Sequence, residues 1–312
     1  MFIFISKINI RENLANILCF DIIVLILCVG VKMRELNCDI ITDAVAKMCI
    51  DINLHLPNDL KNRIASFTTN EPFMPAKSIM LQLQDNAKMA EKENIPICQD
   101  TGMIIAFLDI GQDLHICGGN IEDAINKGVA KGYTDGYLRK SVVKDPIDRK
   151  NTQDNTPAVI HYNIVPGDKL TISLIAKGFG SENMSASKIL IPSEGMEGVK
   201  NFVVDTVVKA GARPCPPLVI GVGIGGSFEK CAILSKKALL RNLDEKNPDP
   251  FYAKYEQIIL DAVNRTGIGP QGFGGLTTAL AVNILTYPTH ITSLPVAVNI
   301  GCHVTRHASI VL

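Results

Sequence analysis

Three cysteines stand where side chains can do chemistry rather than fill a core. Cys98 lies in Pro96-Ile97-Cys98-Gln99-Asp100-Thr101-Gly102, beside an amide and a carboxylate. Cys215 lies in Arg213-Pro214-Cys215-Pro216-Pro217, and Cys302 in Asn299-Ile300-Gly301-Cys302-His303. Each occupies a turn-forming context next to an apolar, strand-like run, and such positions point side chains into a cleft. Thiolates ligate metals, so three that meet in space would hold a metal centre. Spacing alone leaves the matter open. The thiols are 117 and 87 positions apart, unlike any CxxC clip, and three inert buried thiols is the competing reading.

Composition narrows the class. The chain has 312 residues, 47% hydrophobic and 20% charged, enough for a sizeable core in one large or two ordinary domains. Lys plus Arg equals Asp plus Glu at 31 each, so no global field draws in nucleic acid. Nine cysteines, odd in number and partly in helical or strand patterns, argue against a disulfide framework and for a reducing, cytoplasmic setting.

Residues 1–32 differ from the rest. Leu14 to Val31 is nearly apolar, with Asn16 and Asp21 as its strongly polar members. About a dozen apolar residues at roughly −0.3 to −0.6 kcal/mol each are offset by a central aspartate costing about 2.5–3.5 kcal/mol, so membrane insertion is marginal. No small-x-small cleavage site follows. The segment reads as a dispensable leader or a start placed upstream of Met33, with targeting or a packed extra segment as alternatives. The domain proper is 33–312.

Elements that could position the thiols follow from periodicity. Ile41, Val45, Met48 and Ile52 form a helical stripe, and a second helix from about Lys77 to Lys92 delivers the chain to Cys98. Strands are expected at Met103–Ile110 and Leu114–Cys117, and Asn120 is a helix N-cap. A long polar loop runs through Leu138-Arg139-Lys140-Ser141 to Arg149-Lys150-Asn151 and on to Pro157. It is rich in carboxylate-binding side chains, and an arginine fork suits a carboxylate best. Ala158–Val165 and Lys169–Ala176 are expected to pair as a hairpin around Pro166-Gly167-Asp168. Glycines in Lys177-Gly178-Phe179-Gly180 free backbone N–H groups for an anion. Helices are expected over about Gly195–Ala210 and Tyr252–Arg265, and strands at Thr278–Thr286 and Leu294–Ile300.

Gly221-x-Gly223-x-x-Gly226 satisfies a dinucleotide fingerprint between a strand and a helix over Phe228–Leu240. That fingerprint also requires a second strand ending in an acid about 20 residues on, and Asp244 lies in a loop instead. A tight strand-to-helix turn is the better reading.

The motifs ICQDTG, YLRKSVV, RKNTQDNTPAVIHY, GSENMSA, PCPPLVIGVGIGG, IGPQGFGG and LPVAVNIGCH occur in this order. They resemble the iron–sulfur hydro-lyases, namely class I fumarate hydratase and L-tartrate dehydratase, in their alpha subunit or N-terminal domain. The similarity covers Met33 to about His307. Phe179 and Gln153 depart from glycines common in the family.

The resemblance implies an α/β fold, with mixed helical and strand layers around a cluster-binding cleft, and a 4Fe-4S cluster on Cys98, Cys215 and Cys302. One iron without a protein ligand would then act as a Lewis acid in reversible hydration of a double bond. It implies substrate contacts from Gln99, Asp100, Arg139, Gly180 and His290, with Asp100, Arg139 and His290 as the catalytic set. Cys38, Cys49, Cys117 and Cys231 are left as small buried hydrophobes, and His303 and His307 as supporting or surface residues. Fumarate to (S)-malate, a tricarboxylic acid cycle reaction, and tartrate to oxaloacetate both fit a four-carbon dicarboxylate. A nucleotide-dependent oxidoreductase and a non-catalytic scaffold are the alternatives. No motif places a base opposite the open iron, so the resemblance also implies a beta subunit that carries it, in an alpha2beta2 hetero-oligomer.

Overall fold

The computed structural model describes residues 33–312; the apolar run 14–31 and the leader reading lie outside the described residues. The elements are β1 (Arg34–Asn37), α1 (Cys38–Leu54), α2 (Asn58–Asn70), α3 (Met74–Glu93), β2 (Met103–Gly111), β3 (Leu114–Cys117), α4 (Ile121–Asp135), β4 (Val159–Val165), β5 (Leu170–Lys177), α5 (Phe179–Glu182), β6 (Ala186–Leu190) and α6 (Gly195–Ala210). They continue as β7 (Leu218–Gly225), α7 (Phe228–Lys237), α8 (Pro250–Asn264), β8 (Ala279–Tyr287), β9 (Leu294–Gly301) and β10 (Arg306–Val311). The N-cap read from sequence is formed: Asn120 accepts from the N–H groups of Glu122 and Asp123 at the head of α4. None of the described helices is long and apolar enough to cross a membrane.

Two four-stranded mixed sheets, ordered β10-β5-β2-β4 and β6-β9-β7-β8, form the frame, as the α/β reading expects. Residues of each sheet point alternately to two cores. Ile104, Ala106 and Leu108 face α1 and α4, whereas Ile105 and Phe107 face a middle layer. That middle layer holds residues of α2 and α3 together with Val219, Leu280 and Ala281 from the second sheet. The outer face of the second sheet, through Ile220, Val222 and Ile284, packs on α6 and α8. Both sheets are covered on both faces, which is why β2 and β7 read as continuous apolar runs.

The hairpin expected at Pro166-Gly167-Asp168 does not form as such. β4 pairs parallel with β2 and β5 pairs antiparallel with β2, so β2 lies between them. The connecting turn wraps the end of β2, with Gln112 N–H donating to Val165 O at 2.8 Å and Gly111 N–H to Lys169 O at 2.8 Å. The more apolar β2 takes the buried centre, and β4, largely exposed, takes the edge.

The glycines of Gly221-x-Gly223-x-x-Gly226 serve packing. A Cβ on Gly221 would collide with the carbonyl of Ser235, and one on Gly223 with that of Cys231, because the α7 backbone lies directly on β7. The nucleotide reading loses its sequence basis there. Cys38, Cys49 and Cys231 are buried as expected, but Cys117 is only half-buried.

Candidate active site

Topology brings the three thiols to one end of the molecule. The Cys98 turn enters β2, whose first residue Met103 is in register with Lys177, the last of β5. Arg306, the first residue of β10, is in register with Ala176. Cys215 precedes β7, and the register Val219↔Gly301 sets it beside the end of β9. Cys302 lies in the short crossing from β9 in one sheet to β10 in the other. Cys98 and Cys302 are close enough to Cys215 that their charges raise its pKa, after burial as the larger cause.

Each thiol-bearing turn is fixed by its own hydrogen bonds. Ile97 N–H donates to Asn53 O at 3.0 Å and Asn86 Nδ2 to Ile97 O at 3.0 Å, tying the Cys98 turn to α1 and α3. The buried Tyr133 hydroxyl donates to Thr101 O at 2.7 Å, with Gly102 O at 3.0 Å. Asn155 Nδ2 also donates to Gly102 O, and Thr101 Oγ1 donates to the Arg139 carbonyl at 2.9 Å. Gly102 takes φ 80° and a Cβ there would meet the Lys177 backbone at 2.9 Å, so only glycine closes this turn. His303 Nδ1 donates to Cys215 O at 3.0 Å and clamps the Cys302 turn onto the Cys215 turn. Burial holds that imidazole below its ordinary pKa. Gln271 Nε2 donates to Pro216 O at 2.7 Å, bringing the glycine-rich loop at 267–275 against the same turn.

Asp100 is committed to the scaffold on both oxygens. Oδ1 accepts from Gly102 N–H at 3.0 Å and Oδ2 from Phe179 N–H at 2.9 Å. One N–H of the 177–180 stretch, expected to be free for an anion, is therefore occupied by this carboxylate. Gly180 follows in the first turn of α5, and the Arg213 carbonyl lies 3.7 Å from where its Cβ would be. Gln99 and Arg139 have exposed side chains beside this group.

Next to Cys302 is a buried charge cluster, in a stretch that sequence reasoning read for its glycines and not for its charges. Lys177, 3% exposed, donates to Ser181 Oγ at 2.7 Å and pairs with Glu182 Oε2 at 3.3 Å. Glu182 also binds Lys236 and accepts from Asn299 Nδ2 at 3.2 Å. Burial lowers the Lys177 pKa to about 8, against the opposing pull of Glu182 and, more weakly, Cys302. Two buried cations share one carboxylate, so the cluster carries an excess positive charge that a thiolate at Cys302 would balance. Arg306, 1% exposed, is a further buried cation, donating to Asn53 Oδ1 at 2.9 Å. The one signal for these residues was a lysine at the end of an apolar strand.

Arg139 shares a cavity of about 610 Å³ with Asp100, Ser141, Arg149, Phe179 and Asn183. His290 is not brought there. It lies in the β8–β9 connection, and the register Gly225↔Tyr287 puts that connection at the far end of the second sheet from Cys215. Eight strand residues at about 3.3 Å each separate the two ends by roughly 25 Å. Exposed there, His290 Nδ1 bonds Thr292 Oγ1 at 2.9 Å. It joins Gly226, Lys230 and Tyr287 in a different cavity.

The donor type on these turns, three thiols, is one that soft metal centres take. All three stand on turns; burial first, then Cys302 and Cys98, raise the Cys215 pKa, and a buried cation excess adjoins Cys302. Among the described residues no three His, Cys, Asp or Glu side chains converge tightly enough for a single ion.

The cavity beside the Cys98 turn is lined by Arg139 and Arg149, with its carboxylate Asp100 tied down, a lining that suits a small anion. The chain matches the Fumerase family, described as fumarate hydratase, over residues 42–311, and belongs to that family of hydro-lyases. It is similar to a putative L(+)-tartrate dehydratase subunit alpha of Methanocaldococcus jannaschii, 39% identical over 86% of this chain and 96% of that protein. It is also similar to the L(+)-tartrate dehydratase subunit alpha of Escherichia coli UTI89, 33% identical over 86% of this chain and 90% of that protein.

Proposed function

We propose that this chain is the alpha subunit of a 4Fe-4S-dependent hydro-lyase that reversibly hydrates fumarate to (S)-malate. The observation that carries the reading is the meeting of the Cys98, Cys215 and Cys302 turns beside Asp100 and Arg139. Cys98, Cys215 and Cys302 would hold the cluster, which would supply a Lewis acid at the substrate hydroxyl. Arg139 pairs with a substrate carboxylate through its planar fork. Gln99, next to the Cys98 ligand, and the Gly180 backbone orient the same substrate. Asp100 accepts one N–H on each oxygen, yet a carboxylate has lone pairs for about four bonds. It keeps capacity to accept from a substrate hydroxyl, and its fixed position sets where that hydroxyl lies.

Among the described residues lining this cavity Asp100 is the one carboxylate. Its two backbone N–H bonds and its place at the substrate hydroxyl commit it to binding rather than to removing the proton from the carbon beside the carboxylate. The base therefore comes from a beta subunit that closes the mouth, in an alpha2beta2 assembly. Support comes from the relatives, which are named as alpha subunits. The same names favour a second reading, dehydration of L(+)-tartrate to oxaloacetate at the same mouth.

Anaerobic co-expression with the beta partner, followed by assay of both substrates, tests the proposal. The complex should turn over one of them, while the chain alone should hold iron and turn over neither. Substantial turnover by the isolated chain would show that its catalytic set needs no partner.

A further inference from the structure

We propose that Arg306 is the buried counter-charge of the iron–sulfur cluster, and that its positive charge sets the reduction potential of that cluster. The inference rests on the reading that Cys98, Cys215 and Cys302 hold a 4Fe-4S centre. It concerns a cation buried among the thiol turns rather than one lining the cavity.

Charge is the first observation. Arg306 is 1% exposed, and a guanidinium, unlike a buried ammonium, has no way to shed its charge. Among the described residues it has no carboxylate within ion-pair distance. Nη1 donates to Asn53 Oδ1 at 2.9 Å, and Nε is buried without an acceptor. Asp100 is near without pairing: its Oδ2 and Arg306 Nη2 lie 3.1 and 3.5 Å from where a Gly178 Cβ would stand. Both oxygens of that carboxylate already accept backbone N–H groups. Beside Cys302, Lys177 and Lys236 share Glu182, so those side chains have no anion to spare. An unpaired buried charge is strongly disfavoured, and the fold keeps this one because an anion arrives.

Placement is the second. The buried Asn53 accepts Ile97 N–H at its carbonyl, at 3.0 Å, and Arg306 at its side chain, so one residue joins the guanidinium to the Cys98 turn. Thr305 Oγ1 donates to Cys302 O at 2.7 Å and closes the turn that leads from Cys302 to Arg306. His303, whose ring bonds Cys215 O, feels the same charge. Burial first, and then Arg306, hold its imidazole down against that bond. The guanidinium therefore stands among all three turns. Three thiolates outweigh the positive charge of the iron–sulfide core they hold, so a bound cluster is an anion. In a low-dielectric interior that anion and this fixed cation stabilise each other. An added electron strengthens the attraction, so Arg306 raises the potential.

The test uses the complete complex with its partner subunit, reconstituted with iron and sulfide under anaerobic conditions. A redox titration followed by electron paramagnetic resonance reads the potential, iron stoichiometry reads loading, and thermal unfolding reads the fold. Arg306→Gln should move the potential to a more negative value and weaken iron retention against a chelator roughly 10-fold, the low end for outer partners of a metal site. Arg306→Lys should keep a potential close to wild type, although it too lacks the fork and loses stability. Asn53→Asp is a second route: it leaves the guanidinium in place and supplies a carboxylate at Oδ1, giving up the Asn53 Nδ2 bond to Cys49 O. It should shift the potential in the same direction as Arg306→Gln. A wild-type potential in loaded Arg306→Gln, or in loaded Asn53→Asp, would overturn the proposal. Equal shifts in the Gln and Lys variants would overturn it as well, because shape and not charge would then be at work. Iron lost in step with thermal stability, with no shift in potential, would make Arg306 merely structural. The two readings fail separately. A wild-type complex that takes up no iron ends the cluster reading and this proposal with it. A loaded wild-type complex whose potential is indifferent to Arg306 ends this proposal alone.

Discussion

The two ends of β7 make opposite use of turn-forming residues. At its start, Arg213-Pro214-Cys215-Pro216-Pro217 presents an exposed thiol with φ 56° in a turn held by His303 and Gln271. At its finish, the run of glycines that resembles a ligand loop is closed against α7 and Tyr287. Prolines and a bonded turn make the site; glycines make the packing. A glycine pattern reports that something approaches the backbone closely, and here that something is the protein's own helix.

Breaking the first end should have the largest effect. Serine at Cys98, Cys215 or Cys302 should abolish activity and lower bound iron, measured by iron stoichiometry in anaerobically purified protein. Cys231→Ser, in the buried face of α7, should leave iron content at the wild-type level. Full iron in Cys215→Ser would remove that turn from the site.

Gly223→Ala addresses the second end. Its Cβ meets the Cys231 carbonyl, which belongs to helix backbone and cannot rotate aside. A loss of about 3 kcal/mol is expected in denaturant unfolding, at the upper end of overpacking effects. A fully stable variant would mean that α7 stands off the strand and the loop is open to a ligand after all.

A smaller effect is expected from Glu182→Gln, which leaves Lys177 and Lys236 buried without a counter-charge. Because Glu182 is partly exposed, about 2 kcal/mol is expected rather than the full cost of breaking a buried pair. The two lysines hold the Glu182 pKa below its ordinary 4.5, against the effect of burial. Between that lowered value and 4.5 the unfolded chain binds more protons. Its stabilisation is therefore complete above pH 4.5 and lost as pH falls through the folded pKa. Acid unfolding followed by circular dichroism should show a shallower dependence in the variant over that window.

The smallest effect on the thiol end should come from His290→Gln. Removed by the length of β7, it should change neither iron content nor the unfolding midpoint beyond about 0.5 kcal/mol. Loss of iron in that variant would mean that the two ends communicate.

Much of the frame was legible in the sequence because periodicity reports burial. Ile41, Val45, Met48 and Ile52 lie in the first core, and the bounds of α6 follow from Gly195 and Gly211. The β4–β5 pairing was not legible. A short turn signals two adjacent strands locally, and nothing local announces that β2, from earlier in the chain, will insert between them. α2 was missed because few of its residues, Leu60 and Ile64 among them, are apolar and buried. The short edge strands β1, β6 and β10 offer too few alternating positions to register. At the site, motif context singled out the cysteines, while the distances separating them in sequence carried no signal. Tyr133, Asn155 and Arg306 escaped notice because a buried polar residue is recognisable only once its partner is in place.

The crossing from β9 to β10 sets a schedule. Cys98 and Cys302 are 204 positions apart, and at synthesis rates of about 5–20 residues per second the second thiol is made roughly 10–40 s after the first. Until the Cys302 turn arrives, β10 cannot pair with β5 and His303 cannot clamp the Cys215 turn. The mouth is thus a late product of folding, and Cys98 and Cys215 await their third companion on an unfinished chain.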